Sequence, residues 1–192
     1  MSGHQSDPTL HTLHTLHTLR TRARVLPIED ALARTGMHPM LARLYASRGI
    51  RTVGELSADL SALIPPGDLT HADSAARLLA DAIEQNKRLL IIADYDCDGA
   101  TACAVGIRAL QAFGANVGFF VPNRFELGYG LTPEVVALVR PLAPDLLITV
   151  DNGIASIAGV EAANQAGITT LITDHHLAGE RLPAAADRKA HV

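Results

Sequence analysis

Three short segments of the 192-residue sequence combine carboxylates with imidazoles and could bind divalent cations. They are Asp94-Tyr95-Asp96-Cys97-Asp98-Gly99, Asp151-Asn152-Gly153 and Asp174-His175-His176. A single Asp before a helix is most often an N-cap. Five carboxylates gathered in one place, however, repel one another unless cations neutralise them, and two divalent ions supply four positive charges. The pattern predicts a dinuclear metal centre.

Each segment follows an apolar run with the length and composition of a buried strand. Four such runs occur, at residues 89–93, 117–121, 146–150 and 168–173. Helical patterns lie before and between them, at about 71–87, 100–113, 133–140 and 155–166. Strands that are apolar on both faces and alternate with helices predict an α/β fold with a doubly wound, mainly parallel sheet and flanking helices. Binding sites form beyond the carboxyl ends of such strands, so we expect the three segments to converge.

The remaining sequence predicts a leader, a lead-in and a tail. Residues 1–24 form a low-complexity leader, because Thr-Leu-His repeats there with a period of three, which fits neither a helix nor a strand. Metal binding by His11, His14 and His17 is the less favoured interpretation, since no second ligand type accompanies them. Residues 25–70 form a helical lead-in, with two short helices broken near Gly49. The α/β domain then spans 71–182, and 183–192 form a tail.

Composition and charge exclude several classes of protein. Hydrophobic residues make up 48% of the chain, which is typical of a folded protein. The only cysteines, Cys97 and Cys103, fit neither a disulfide framework nor a zinc ribbon, so we expect a reducing, cytoplasmic location. No apolar run is long enough for a membrane span or a signal peptide, and we expect no membrane partner.

The formal net charge of −4 is unevenly distributed. Residues 1–52 carry seven arginines and three acidic residues, whereas residues 53–192 carry nine basic and 17 acidic residues. An acidic body with a basic arm can hold cations in one place and contact phosphates in another.

Two better-known motifs share features with the first segment but do not fit it. The pattern D-x-D-x-D-G opens an EF-hand loop, yet position 12 counted from Asp94 is Val105, where the calcium loop needs Glu. Phosphatases of the haloacid-dehalogenase type place Asp-x-Asp-x-Thr or Val after a strand, and neither Asp pair here is followed by that residue. They also use a downstream Lys, whereas Lys87 and Lys189 lie outside the region between the strands.

The three segments together resemble the DHH phosphoesterase superfamily, which is named for its Asp-His-His signature. DYDCDG, VDNGI and TDHH occur in that order, each after a predicted strand. The motif NRFELGYGL at 123–131 and the helical lead-in resemble the RecJ family of exonucleases, and the resemblance covers roughly 39–182. It implies metal-dependent 5′-to-3′ hydrolysis of single-stranded DNA in repair and recombination, with two Mn²⁺ or Mg²⁺ ions. Single-stranded DNA and DNA-repair proteins are the implied partners.

The resemblance also implies roles for individual residues. The implied metal ligands are Asp96, Asp98, Asp151 and His175, and Asp151 would bridge the two ions. Three catalytic residues would lie in or beside that shell: Asp94, Asp174 and His176. His176 would contact phosphate or protonate the leaving oxygen, and Arg124 would bind substrate phosphate.

Two alternatives remain open at the level of the sequence. One is another DHH phosphodiesterase, of the oligoribonuclease or cyclic-dinucleotide type, and the other is a folded fragment that binds metal without turnover. Proteins of the RecJ family continue beyond the third segment, through a further Asp ligand and a DHHA1 domain that carries Gly-Gly-His. We therefore expect this chain to be an N-terminal fragment with a truncated catalytic domain.

Overall fold

The computed structural model describes residues 22–184, which form two compact units divided between Leu63 and Ile64. The predicted leader, up to residue 21, and the predicted tail, from residue 185, lie outside the described residues. The predicted boundary between lead-in and α/β domain, at residues 70 and 71, falls within the second unit. Each unit has its own core of buried apolar side chains.

The first unit contains two short helices, α1 (Leu26–Ala33) and α2 (Pro39–Ala46). Leu32 of α1 packs against Ala42 and Ala46 of α2, and all three side chains are buried. The chain then forms two 3₁₀ turns, Val53–Leu56 and Leu60–Ala62.

This unit differs from the sequence prediction, which expected a second helix after Gly49. The carboxylate of Glu55 instead accepts hydrogen bonds from the backbone N–H and the hydroxyl group of Thr52, at 2.9 and 3.0 Å. Such local hydrogen bonds compete with helix formation. Leu60 and Leu63, whose spacing suggested a helix, are 85% and 69% exposed. Their side chains therefore pack against no core within this part of the chain.

Helix α1 was not predicted from the sequence. Its start is marked by a proline in the first turn and by Glu29, whose carboxylate accepts the backbone N–H of Val25 at 3.2 Å. A single buried leucine makes its hydrophobic pattern too short to recognise.

The second unit is built on a four-stranded parallel sheet. Its strands are β1 (Arg88–Ala93), β2 (Asn116–Phe120), β3 (Leu146–Val150) and β4 (Thr169–Thr173). Their spatial order is β2-β1-β3-β4, and every neighbouring pair is parallel. The predicted doubly wound α/β fold is confirmed.

Helices cover both faces of this sheet. They are α3 (Ala72–Glu84), α4 (Cys97–Ala112), the four-residue α5 (Arg124–Leu127), α6 (Pro133–Val139) and α7 (Ile157–Gln165). Alternate strand residues point to opposite faces, so Leu89 and Ile91 pack with α3 and α4, whereas Leu90 and Ile92 pack with α6 and α7. Burial on both faces explains why β1 and β3 are almost wholly apolar.

The strand order reverses between β1 and β3, because the chain leaves β1 toward β2 on one side and later returns to β3 on the other. Loops diverge at such a switch point and leave a crevice at the carboxyl ends of the two strands. Within residues 22–184, no helix has both the length and the apolar character that a membrane crossing needs.

Candidate metal centre

The three polar segments meet at the carboxyl edge of the sheet. The first follows β1, the second β3 and the third β4. Because β1 pairs with β3 and β3 with β4, the three loops are neighbours in space. The convergence expected from the sequence is therefore present in the structure.

The first loop carries three carboxylates with different surroundings. Asp94 is buried, and its Oδ1 accepts the backbone N–H of Tyr95 at 2.8 Å. Asp96 is the N-cap of α4, where its side chain accepts the N–H of Gly99 at 3.3 Å. Asp98 lies in the first turn of α4, and its side chain is 66% exposed.

Gly99 allows α4 to begin close to Asp94. A Cβ atom at position 99 would lie 2.7 Å from the carbonyl oxygen of Asp94, so only glycine fits this contact without a shift of the backbone. The glycine of DYDCDG thus sets the distance between the buried Asp94 and the helix start, where negative side chains are stabilised by the helix dipole.

Asp151 is the most constrained of the carboxylates. Its backbone φ is 61°, a left-handed conformation that Asp tolerates better than most residues, and its N–H donates to the carbonyl of Thr173 at 3.0 Å. The side chain is buried, and its Oδ1 has no hydrogen-bond partner among residues 22–184, although Nε2 of His175 lies 2.8 Å away. Burial raises the pKa of Asp151, and the negative charges of Asp98 and Asp96 raise it further. The nearby His175 acts in the opposite direction and lowers this pKa, but by less.

The residue after Asp151 ties two strands together. Asn152 is buried, and its side-chain amide donates to the carbonyls of Ile92 and Val150 at 3.0 and 2.9 Å. These bonds hold the carboxyl ends of β1 and β3 side by side, so the loops after the two strands keep a fixed separation. Sequence reasoning gave Asn152 no role.

The third segment combines an ordered carboxylate with two imidazoles. Asp174 accepts the backbone N–H groups of Ile154 at 2.8 Å and of His176 at 3.0 Å. Burial alone would raise the pKa of Asp174, but these bonds and the His176 side chain outweigh it, so the pKa lies below its usual value.

His176 is held by the same carboxylate. Its Nδ1 lies 2.7 Å from Oδ1 of Asp174, and an ionised carboxylate can only accept, so Nδ1 carries the proton. This hydrogen bond raises the pKa of His176, against the effect of burial. With Nδ1 engaged, Nε2 is the ring nitrogen left for other partners.

Two groups of three side chains in the described residues have ligand atoms within 4.8 Å of one another. The first group is Asp94, Asp96 and Asp151, and the second is Asp151, His175 and His176. Asp151 belongs to both. Asp98 falls outside both groups, with its Oδ2 3.7 Å from Nε2 of His175. The donor set of hard oxygens and imidazole nitrogens, around the buried carboxylate of Asp151, fits two divalent ions.

Arg124 reaches this centre from α5. Its guanidinium group donates to Oδ1 of Asp94 and lies 3.8 Å from Oδ2 of Asp96. It also stacks over the ring of Tyr95, 4.1 Å from the ring centroid, and lies 5.3 Å from that of Tyr129. The hydrogen bond from Arg124 to Asp94 raises the pKa of the guanidinium. Arg124 therefore lies at the site as the ion partner of Asp94, and its predicted contact with substrate phosphate stays a prediction.

Tyr129 is a site residue that sequence reasoning missed. Its hydroxyl donates to the carbonyl of Asp151 at 3.0 Å and lies 3.4 Å from Nδ1 of His176. Burial, followed by the charges of the surrounding carboxylates, raises the pKa of Tyr129 to about 12, so it stays a neutral donor. The only sequence signal was the Gly-Tyr-Gly run, which gave the tyrosine no partner.

Residues 88–189, just over half of the chain, match the model of the DHH family, N-terminal domain. The chain belongs to the DHH family. The match begins with β1 and includes all three polar segments, so the family signature and the candidate metal centre coincide.

Curated relatives share this DHH region. The chain is 45% identical over 148 residues to the single-stranded-DNA-specific exonuclease RecJ of Escherichia coli (strain K12), which covers 77% of this chain and 26% of that protein. It is 38% identical over 170 residues to the RecJ protein of Thermus thermophilus, which covers 85% of this chain and 25% of that protein. The chain thus spans about a quarter of the length of these relatives.

Solved structures agree with this assignment. A crystal structure of exonuclease RecJ bound to manganese superposes with a TM-score of 0.56 at 39% identity, over 62% of this chain and 30% of that chain. The structure of RecJ from Thermus thermophilus in complex with Mn²⁺ has the same TM-score, 0.56, at 34% identity, over 83% of this chain and 22% of that chain.

Proposed function

We propose that this DHH chain takes part in the metal-dependent hydrolysis of phosphodiester bonds in single-stranded DNA, from the 5′ end, as a RecJ-type exonuclease. The observation that carries the proposal is the buried carboxylate of Asp151, which is common to both groups of candidate ligands. The names of the relatives and the Mn²⁺ in two related crystal structures support it.

Four residues are assigned as ligands of two Mn²⁺ or Mg²⁺ ions: Asp96, Asp98, Asp151 and His175. Asp151 would bridge the two ions, because two groups of donors share it. Asp94 and His176 each lie close to the carboxylate of Asp151. This proximity supports their assignment to positions in or beside the shell of metal ligands. Asp98 would have to move toward the other ligands, because its carboxylate lies outside both groups.

Divalent ions at such a site acidify water into a nucleophile and neutralise charge on the phosphate oxygens. The residues of the chain prepare the site for that chemistry. The bonds from Asn152 to the carbonyls of Ile92 and Val150 fix the separation of the two loops. The left-handed backbone of Asp151 and its bond to Thr173 hold the shared carboxylate in place.

His176 is assigned as the group that contacts phosphate or gives a proton to the leaving oxygen. Its Nδ1 is fixed by Asp174, and Asp174 is in turn fixed by the N–H groups of Ile154 and His176 itself. A raised pKa keeps a larger share of the imidazole protonated near neutral pH, which suits a proton donor. Asp174 is thus a positioning residue for His176.

Arg124 is assigned to substrate phosphate. Its guanidinium lies beside Asp94 and Asp96 and is partly exposed, so it can contact a phosphate bound at the neighbouring ions. Its position over the ring of Tyr95, 4.1 Å from the ring centroid, adds a second contact that holds the guanidinium beside the carboxylates. We further propose a cytoplasmic location and DNA-repair proteins as partners, in keeping with this activity.

The experiment that tests the proposal combines metal binding with hydrolysis. Calorimetric titration with Mn²⁺ of the full chain, and of a variant that lacks residues 1–24, should give the same affinity and two ions per chain. Loss of binding in the shortened variant would assign the metal to the His-rich leader. Digestion of a 5′-labelled single strand, compared with dinucleotides and cyclic dinucleotides, then measures the activity.

The alternatives make different predictions in the same experiment. Preference for dinucleotides would favour the oligoribonuclease or cyclic-dinucleotide type of DHH phosphodiesterase. Metal binding without turnover of any substrate would favour an inactive, metal-binding chain. Release of nucleotides from a long single strand supports the exonuclease.

A further inference from the structure

Two aromatic side chains lie exposed at the mouth of the candidate metal centre. Phe125 is 87% exposed and Tyr95 is 45% exposed. Their ring centroids are 6.4 Å apart and the ring planes are inclined by 33°. We propose that this pair, the aromatic ledge, stacks against a nucleobase of the strand whose phosphate occupies the metal centre.

The ledge is adjacent to the candidate metal ligands in both sequence and space. Tyr95 lies between Asp94 and Asp96, and Phe125 follows Arg124, which donates to Asp94 and lies 3.8 Å from Asp96. A phosphate held at those carboxylates through bound cations would therefore have its own base within reach of the ledge. The inference rests on the proposed function, because it assumes a nucleic acid strand at this site.

Among residues 22–184, no buried cluster accounts for a phenylalanine at this position. Phe125 belongs to the four-residue helix α5, and its side chain belongs to none of the buried clusters of the described chain. One face of Tyr95 is covered by the guanidinium of Arg124, which holds the ring in place through its bond to Asp94. The ledge is thus one fixed ring beside one freely accessible ring.

This arrangement suits a base but not a particular base. Aromatic side chains stack on the faces of all four nucleobases, and such stacking carries little sequence preference. A neighbouring guanidinium adds a cationic partner for the phosphate of the same nucleotide. The ledge therefore explains how an acidic centre could retain a polyanion regardless of sequence, and it predicts that a strand without bases is held more weakly.

The chain contains no tryptophan, so a single indole can report on the ledge directly. Phe125→Trp places that indole on the ledge, and Phe113→Trp places it at another exposed position, 74% accessible. Phe113 is the C-cap of the 16-residue helix α4, whose N-terminus carries the metal ligands, so it lies about 24 Å from them.

Each variant is titrated, in saturating Mg²⁺, with a short phosphorothioate oligodeoxythymidylate and with an abasic phosphorothioate chain of equal length. We expect the base-bearing strand to quench the fluorescence of Phe125→Trp, and neither strand to quench that of Phe113→Trp. In parallel, Phe125→Ala should weaken binding of the base-bearing strand about fivefold or more, whereas Phe113→Ala and Phe125→Tyr should bind like the unmodified chain.

The outcomes separate the ledge from the proposed function. Binding of the base-bearing strand without quenching, or equal quenching by the abasic strand, would overturn the ledge and leave the proposed function standing. Absence of binding by either strand, measured by anisotropy of a labelled end, would overturn both. An equal loss of affinity in Phe125→Ala and Phe113→Ala would also contradict the ledge.

Discussion

Nε2 of His175 lies 2.8 Å from Oδ1 of Asp151, although the two residues follow different strands of the sheet. The parallel pairing of β3 with β4 sets this contact, since Val150 and Thr173, the last residues of the two strands, are directly opposite each other. The same oxygen is buried and, among residues 22–184, accepts no well-aligned hydrogen bond. A carboxylate in this position is costly unless a cation is bound nearby, and this cost underlies the first prediction.

Asp151→Asn should weaken both metal sites. An amide oxygen carries no charge and cannot bridge two cations as a carboxylate does. Loss of even an outer partner of a metal ligand costs about 10–100-fold in affinity, so we expect at least that loss here. Asn also tolerates the left-handed backbone at φ 61°, so the substitution should not strain the fold. The measurement is Mn²⁺ stoichiometry and affinity by calorimetry.

Asp81→Asn, on the exposed side of α3, is the matched control for this substitution and should leave both ions in place. In the absence of metal, Asp151→Asn should be at least as stable as the unmodified chain, because it removes a buried charge that Asp98 and Asp96 repel. An intact count of two ions in Asp151→Asn would refute the bridging role.

Arg124→Gln should separate metal binding from hydrolysis. The guanidinium neutralises Asp94 and lies near Asp96, so its removal makes the centre more negative and should leave Mn²⁺ affinity unchanged or higher. Loss of a charged partner for the phosphate should slow single-turnover digestion by about 100-fold or more. Arg108→Gln, on the exposed side of α4, should change neither quantity. A parallel loss of metal and activity would contradict the assignment of Arg124 to substrate.

The sequence was sufficient to predict the sheet and the edge where the polar segments meet. The four strands are short apolar runs, each with a distinct end. Parallel pairing of the backbones places those ends at one edge of the sheet, independently of the side chains that follow them. The pairing of Arg124 with Asp94 could not be predicted in this way. It depends on the path of the chain after β2, where the unpredicted α5 turns the guanidinium back over Tyr95.

The left-handed backbone of Asp151 could not be predicted from the sequence either. The same holds for the hydrogen bond from the Tyr129 hydroxyl to the carbonyl of Asp151. Both depend on tertiary contacts between loops. The spacing of apolar residues predicts only the helices and strands that pack against the core. The N-cap interpretation was partly right, since Asp96 does cap α4. Asp151 does not cap α7, the helix that follows it, because the N-cap of that helix is Ser156.

Glu29 should make the first unit sensitive to acid. Its buried carboxylate accepts hydrogen bonds from the guanidinium of Arg24, and these lower the pKa of Glu29 below its usual value. A lowered pKa in the folded state stabilises the fold above the ordinary pKa of about 4.5, and this contribution is lost as the pH falls through the lowered value. The unmodified chain should therefore unfold at a higher temperature than Glu29→Gln at pH 7.

That difference in unfolding temperature, followed by circular dichroism, should narrow as the pH falls below about 4.5. Asp30→Asn, at the exposed neighbouring position, should unfold like the unmodified chain at pH 7. A difference between the unmodified chain and Glu29→Gln that stays constant down to pH values below the lowered pKa would contradict the ion-pair explanation.

Gly159→Ala should destabilise the second unit because α7 packs directly on the backbone of Leu131. A Cβ atom at position 159 would lie 1.9 Å from the Leu131 carbonyl oxygen, so the two segments would have to separate. Overpacking costs about 1–3 kcal/mol, and a 1.9 Å contact with backbone belongs at the upper end of that range, so the roughly 1 kcal/mol that alanine gains over glycine in a helix offsets only part of it. The loss is measured as the change in free energy of unfolding in urea.

Gly106→Ala is the matched control for this contact, because it is also a helical glycine facing the sheet. Its Cβ atom would meet only the end of the Ile91 side chain, at 3.0 Å, and that end can rotate away. We expect Gly106→Ala to be nearly neutral. Leu131 closely follows Tyr129, whose hydroxyl binds the carbonyl of Asp151, so Gly159→Ala should also lower Mn²⁺ affinity. Equal stability of the two variants would show that α7 and Leu131 are not in contact as described.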